Sequence, residues 1–235
     1  MRILAVESSA KTASVAIVEN NNLISEFFLN TGLTHSETLM PMITSALDCV
    51  GFSCEDIDLY AVTNGPGSFT GVRIGVSAVK GMALSSNKKC VGVSTLEAMA
   101  YNLFGNDCTA CCVMDARREQ VYTAMFSIKN DKVIRLTEDS AMKISQLGNL
   151  LANYSNTVFF IGDGAQLCYN KLKLTNPKIR LAAENIRYQR AYGAAVAAID
   201  KDYINSNDLG INYLRLPQAE RELKKAEHDK NYLGE

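Results

Sequence analysis

Between Gly65 and Gly75 the chain reads GPGSFTGVRIG, a run that gathers a Gly/Pro turn, the hydroxyls of Ser68 and Thr70 and a lone arginine, Arg73. Pro66 sets one backbone angle, while Gly65, Gly67 and Gly71 permit turns and close approach. Ser68 or Thr70 can cap a following helix, which places Arg73 in its first turn, where a positive charge opposes the helix dipole. An arginine there needs a carboxylate within the fold, a phosphate or a partner chain. A second polar turn, Glu7, Ser8, Ser9 and Lys11, can cradle phosphate through hydroxyls and backbone N–H groups, or be an ordinary hairpin turn. The GK[ST] ending of a Walker loop is absent, which disfavours the usual P-loop mechanism. Gly162-Asp163-Gly164 offers either a turn residue or a ligand carboxylate. Asp115 and Arg117, in the turn DARREQVY, can steer a phosphate or a partner, or form a local ion pair. Metal chemistry is poorly supplied: His35 and His228 are the only histidines, and Cys108, Cys111 and Cys112 lie in or beside a strand, so small buried thiols are favoured over zinc. His35-Ser36-Glu37 hints at acyl transfer, but neighbours on a helix start do not face one another.

The elements that must hold these residues follow from periodicity. Arg2–Glu7 and Ala13–Glu19 read as a strand hairpin, with Leu23–Leu29 as a third strand. Thr34 with Glu37 reads as a capping box, opening a helix that runs to about Val50 past Pro41, with Leu39, Met42, Ile43, Ala46 and Leu47 on one face. Asp58–Asn64 reads as a strand and Val72–Ala83 as a helix. Val72, Val76, Val79 and Ala83 form its apolar stripe. Beside that stripe, Gly71, Gly75 and Ala78 make a small-residue face for an adjoining helix or a partner chain. Cys90–Val93 (strand) and Thr95–Asn102 (helix) close a first lobe. A second lobe begins again with strands at Thr109–Met114, Val121–Phe126 and Lys132–Leu136, followed by a helix at Met142–Tyr154, a strand at Val158–Ile161 and a helix at Tyr192–Tyr203. Two related α/β lobes are expected: residues 1–105 as a partner-binding lobe, and residues 106–215, with the helix near 190–204 packing back on the first lobe. Residues 216–235 form a charged tail.

With 235 residues and 47% hydrophobic content the chain can build a real core, and its formal net charge of -1 argues against broad nucleic-acid binding by this chain alone. Seven scattered cysteines fit reduced thiols. No signal-peptide pattern or membrane-length apolar run is apparent, so a cytoplasmic address is expected.

Several segments together resemble the bacterial TsaB family, the partner subunit used to make the threonylcarbamoyladenosine modification of tRNA. They are ILAVESS (Ile3–Ser9), THSETLMP (Thr34–Pro41), GPGSFTGVRIG, DARREQVY (Asp115–Tyr122), GDGA (Gly162–Ala165), YLR (Tyr213–Arg215) and AER (Ala219–Arg221). Ile211 stands where many relatives have proline ahead of YLR. The resemblance implies an actin-like, Hsp70-like two-lobed fold with a duplicated mixed sheet. It implies a homodimer when alone, association with a TsaD-like catalytic subunit, a TsaE-like ATPase in the complex, and tRNA contacted mainly through that complex, with no membrane. No catalytic residue and no metal site is carried over, since the TsaD histidine set has no counterpart. Partner-interface candidates are His35, Met42, Gly71, Arg73, Gly75 and Ala78. Weak nucleotide-loop candidates are Glu7, Ser8, Ser9, Lys11, Gly162, Asp163 and Gly164, for ATP or ADP held weakly or at the complex interface; no cofactor is required. The expected function is a noncatalytic subunit that activates the TsaD-like enzyme. The alternative is a stand-alone ATP-dependent kinase or hydrolase built on the Ser8 and Gly65 loops; a peptidase is weaker because no matched metal or nucleophile set is present.

Overall fold

The computed structural model describes residues 1–215 apart from Asp131, Asn153, Ser155, Leu174, Thr175 and Pro177; the charged tail, with AER and His228, lies outside the described residues. Strands β1 (Arg2–Glu7), β2 (Ala13–Glu19), β3 (Asn22–Leu29), β4 (Leu59–Gly65) and β5 (Lys89–Ser94) form one sheet in the order β3-β2-β1-β4-β5. β1 pairs antiparallel with β2 and parallel with β4, which pairs parallel with β5. Strands β6 (Cys108–Asp115), β7 (Gln120–Lys129), β8 (Lys132–Arg135), β9 (Ser140–Lys143), β10 (Val158–Ile161) and β11 (Ile179–Leu181) build a second sheet. Its path β8-β7-β6-β10-β11 repeats the first: three antiparallel strands, then two more joined in parallel. The duplication expected from consecutive opening strands is therefore present, and the fold is the two-lobed actin-like one.

Alternation along the strands sorts the core into layers. Leu4 and Val6 of β1 face helices α1 (His35–Val50) and α2 (Phe69–Ser85), while Ile3 and Ala5 face the opposite side. That side packs on α7 (Ala191–Ala197), whose Ala191, Ala194, Ala195 and Ala197 are buried against the first sheet. Helix α3 (Thr95–Ala100) is shared: Ala98 joins this layer, while Leu96 and Met99 pack on the second sheet beside Phe126 and Ile161. Helices α4 (Ile144–Leu151) and α5 (Ala165–Leu172) cover that sheet's outer face, and a short α6 (Glu184–Arg187) precedes α7.

Three local expectations change. Thr34 is the N-cap of α1, but its hydroxyl donates to the Glu37 carboxylate at 2.7 Å and caps no backbone N–H, so no capping box forms. The helix expected over Met142–Tyr154 starts at Ile144, because Met142 is taken up in antiparallel pairing with Val121. The helix expected to Tyr203 ends at Ala197, and the chain beyond it returns to bridge Ile204 to Cys90 at the edge of the first sheet. Helix α1 runs unbroken across Pro41.

The small-residue face of α2 has an occupant within the chain. A Cβ at Gly71 would collide with the Ser8 carbonyl oxygen, and one at Gly75 with the Ser8 hydroxyl. Gly81, on the same helix, meets nothing within 4 Å. Gly71→Ala should therefore cost about 2 kcal/mol or more, because backbone must move, whereas Gly81→Ala should gain roughly 0.5–1 kcal/mol from helix propensity. Urea denaturation of the two variants checks the opposite signs.

Candidate functional site

Two concave surfaces flank the start of α2. The first is a cleft of about 440 Å³ between the lobes, lined from one side by Ser9, Lys11, Ser68 and Thr70 and from the other by Asp115, Arg117 and Asp163. The second is an open groove of about 610 Å³ between α1 and α2, lined by His35, Met40, Arg73, Ile74 and Ala78 among others. Phe69 and Thr70 line both.

The cleft divides the nucleotide-loop candidates. Ser9, Lys11 and Asp163 face it; Glu7, Ser8, Gly162 and Gly164 do not. Glu7 is 0% exposed, its Oε1 accepting from the Ser9 N–H and the Ser9 hydroxyl, both at 2.6 Å. Its other oxygen has no hydrogen-bond partner, and neither has the hydroxyl of Thr63 on the neighbouring parallel strand. Burial pushes the Glu7 carboxyl up, against the pull of Ser9 and the nearby Thr63 hydroxyl. Asp163 is pushed up by burial as well, opposed by Gln189, whose Nε2 donates to it at 2.9 Å. The two glycines that flank Asp163 let the chain pass against Val113 and Met114 of β6, so their role is packing. A carboxyl sealed beneath Ser9 cannot act on a ligand in the cleft, which removes a central residue from the ATPase alternative.

Across the cleft, Asp115 Oδ1 accepts from the Arg117 backbone N–H at 2.7 Å, so a turn hydrogen bond stands where an ion pair was an option. Arg117, Arg118 and Glu119 all have positive φ, at 61°, 53° and 58°, an uncommon run for residues with side chains. Among the described residues no group of three or more His, Cys, Asp or Glu is placed to share a metal ion. Burial holds Cys111 and Cys112 well above the usual thiol range, and Cys168 is pushed up to about 12. These are protonated core thiols.

The groove divides the interface candidates in the same way. His35, Arg73 and Ala78 line it, whereas Met42 is 5% exposed in the core, and Gly71 and Gly75 are buried against Ser8. The two glycines are buried because the β1–β2 turn presses on the first two turns of α2, whereas Met42 lies on the core-facing stripe of α1 with Leu39, Ile43 and Ala46. His35 Nε2 donates to the Ala10 carbonyl oxygen at 2.7 Å, which fixes α1 on the same turn. Ser68 caps α2 by accepting from the Gly71 N–H at 3.3 Å. Arg73 stacks on the Phe69 ring at 3.6 Å, and its Nε donates to the Tyr213 hydroxyl at 2.8 Å; no carboxylate pairs with it among the described residues. Its charge is thus oriented, with no carboxylate set against it among the described residues. Met40, 48% exposed, also lines the groove, and periodicity on the buried face of α1 could not select it. Phe69 and Tyr213 are not among the candidates; their ring contact at 5.1 Å joins residues far apart in sequence, and their only signals are the GPGSFTGVRIG and YLR motifs that hold them.

This geometry sits within a wider likeness. A family model described as TsaD: tRNA N6-adenosine threonylcarbamoyltransferase matches residues 30–213. The Bacillus subtilis tRNA threonylcarbamoyladenosine biosynthesis protein TsaB is 30% identical over 223 residues, covering 94% of this chain and 96% of that protein. The chain belongs to the TsaB family. The Escherichia coli TsaB protein is 38% identical over 128 residues, 54% of this chain and 55% of that one. The fold of this TsaB-family chain also matches a solved structure of YeaZ from Pseudomonas aeruginosa, with a TM-score of 0.78 and 22% identity over 91% of this chain and 99% of that one.

The orphaned oxygen of Glu7 generates a test. A carboxyl raised in the folded state favours folding most at low pH. That contribution is lost as pH climbs from the ordinary carboxylate range through the raised value. Glu7→Gln keeps an acceptor for Ser9 and adds a donor beside Thr63, so it should gain stability over the native chain at pH 8 and little or none at pH 4. Chemical denaturation at the two values measures the difference.

Proposed function

We propose that this chain is a noncatalytic partner subunit that binds and activates a TsaD-type enzyme in threonylcarbamoyl transfer to the adenosine of tRNA. The observation that carries it is the α1–α2 groove: an apolar floor with an exposed Met40, the small Ala78 and an arginine held in place with no carboxylate beside it among the described residues. An oriented guanidinium beside an exposed apolar side chain is what an interface hot spot needs. The role of the Bacillus subtilis relative in tRNA threonylcarbamoyladenosine biosynthesis supplies the reaction. On this reading residues 1–105 dock the partner and residues 106–215 support them from behind, and the same groove joins two copies when the partner is absent. A TsaE-type ATPase and tRNA meet the assembly, with tRNA contacted mainly through the complex, in the cytoplasm; no helix among the described residues is long and apolar enough to cross a membrane. ATP or ADP is held weakly in the cleft or at the complex interface, where Lys11 and Arg117 offer charge from opposite lobes.

Purified chain, a TsaD-type enzyme, its ATPase, the threonylcarbamoyl donor and tRNA are mixed, with and without this chain, and modified adenosine is measured. Activity that depends on the chain is expected; full modification in its absence would contradict the proposal. Arg73→Ala should lower partner-dependent modification about ten-fold while leaving the unfolding midpoint of the isolated chain nearly unchanged, because it removes a stacked, hydrogen-bonded cation from the surface.

A further inference from the structure

The four residues Asn212 to Arg215 cross from one lobe to the other over the cleft, and Asn212, Tyr213 and Arg215 are each tied down. The Asn212 N–H donates to the Asn64 carbonyl oxygen at 2.8 Å, and Asn64 Nδ2 donates to the Gly210 carbonyl at 3.0 Å, stitching the segment to the end of β4. Gly65, at φ 121°, lies where any Cβ would strike the Asn212 carbonyl. Tyr213 stacks on Phe69 and accepts from Arg73. Arg215 reaches the second lobe, where its Nη1 donates to the Ala116 carbonyl at 3.2 Å, its Nη2 to Gln120 Oε1, and its guanidinium lies 5.5 Å from the centre of the Tyr122 ring.

Arg73 belongs to the groove and Arg215 does not. One short segment, anchored on both lobes, nevertheless links them through Tyr213. We propose that residues 212–215 are a strap that positions Arg73 for docking and makes affinity for the partner depend on the spacing of the lobes across the cleft. This rests on the reading of the α1–α2 groove as the docking face for a TsaD-type protein. Tyr213 and Arg215 are positioning residues in it: Tyr213 through its hydroxyl, Arg215 at a distance through the strap. A ligand that opens the cleft would loosen the strap and lower docking affinity; one that draws the lobes together would raise it.

The test uses the full chain and a purified TsaD-type partner, with affinity read by calorimetry. Ala78→Glu, a charge set into the groove, is the control for the docking face and should abolish binding. Tyr213→Phe and Arg215→Ala should each weaken binding about ten-fold, the scale of one hydrogen bond to a charged group. In the absence of partner, both should shift the Arg73 Nε–Hε resonance in a 15N correlation spectrum, which a general loss of stability would not single out. Tyr213→Phe keeps the ring stack, so it decides the matter should Arg215→Ala fail to fold. Native affinity and an unmoved Arg73 signal in the strap variants, with Ala78→Glu still abolishing binding, would overturn the strap and leave the docking face intact. Native affinity in Ala78→Glu would overturn the docking face itself, and the strap's role with it.

Discussion

The contact on which the rest depends is the seating of the β1–β2 turn against the start of α2. Ser9 accepts from the Ser68 N–H through its carbonyl at 2.6 Å, and the Ser8 hydroxyl donates to the Gly71 carbonyl at 2.8 Å. Beneath it, Glu7 grips Ser9; beside it, Ala10 takes the His35 ring. Backbone polar groups that would otherwise be buried unpaired are satisfied across elements. The helix can approach closely enough only because Gly71 and Gly75 have no side chain. One turn thus sets how α1 and α2 sit on the first sheet and so fixes the width of the groove between them.

The same turn explains the division between cleft and groove. Its inner residues, Glu7, Ser8 and Ser9, are closed in by packing, Ser9 at the floor of the cleft, while Lys11 remains exposed at the cleft's mouth. The lobes are also bound to one another away from the cleft: the Ser94 hydroxyl donates to Asp139 at 2.6 Å, and Arg135 pairs with Asp139 and, at 3.6 Å, with Glu97. Glu97 in turn receives Lys201 at 3.0 Å. A linked set of partly buried charges is a firmer tie than isolated surface pairs. On the proposed reading, the molecule is a supported docking face whose chemistry is supplied by another protein.

Much of this was legible in the sequence where the determinant is local. Apolar, β-branched runs placed β1, β2 and β10 at their observed bounds, and the 3.6-residue period placed α1 and the buried stripe of α2. The repeated opening of two strands pointed to the duplicated lobe. The Gly71–Gly75 spacing announced a close approach, but spacing cannot name what approaches, and the occupant proved to be Ser8 of the same chain. Met42 is an interface candidate by resemblance, although its periodicity with Leu39, Ile43 and Ala46 points inward, into the core where it lies. The partners of Arg73 lie in its own helix and, 140 positions away, at Tyr213, so no window of sequence holds both. Short elements such as β11 and α6 carry too few residues to show a period.

The central claim is that the α1–α2 face is where this chain meets its partner. Hydrogen exchange of the chain's backbone amides, followed with and without a purified TsaD-type enzyme, reads that face directly. Slowed exchange concentrated in residues 35–50 and 69–85 is the expected result. Unchanged exchange there, with protection confined to the second lobe or to the β3 edge, would contradict the account.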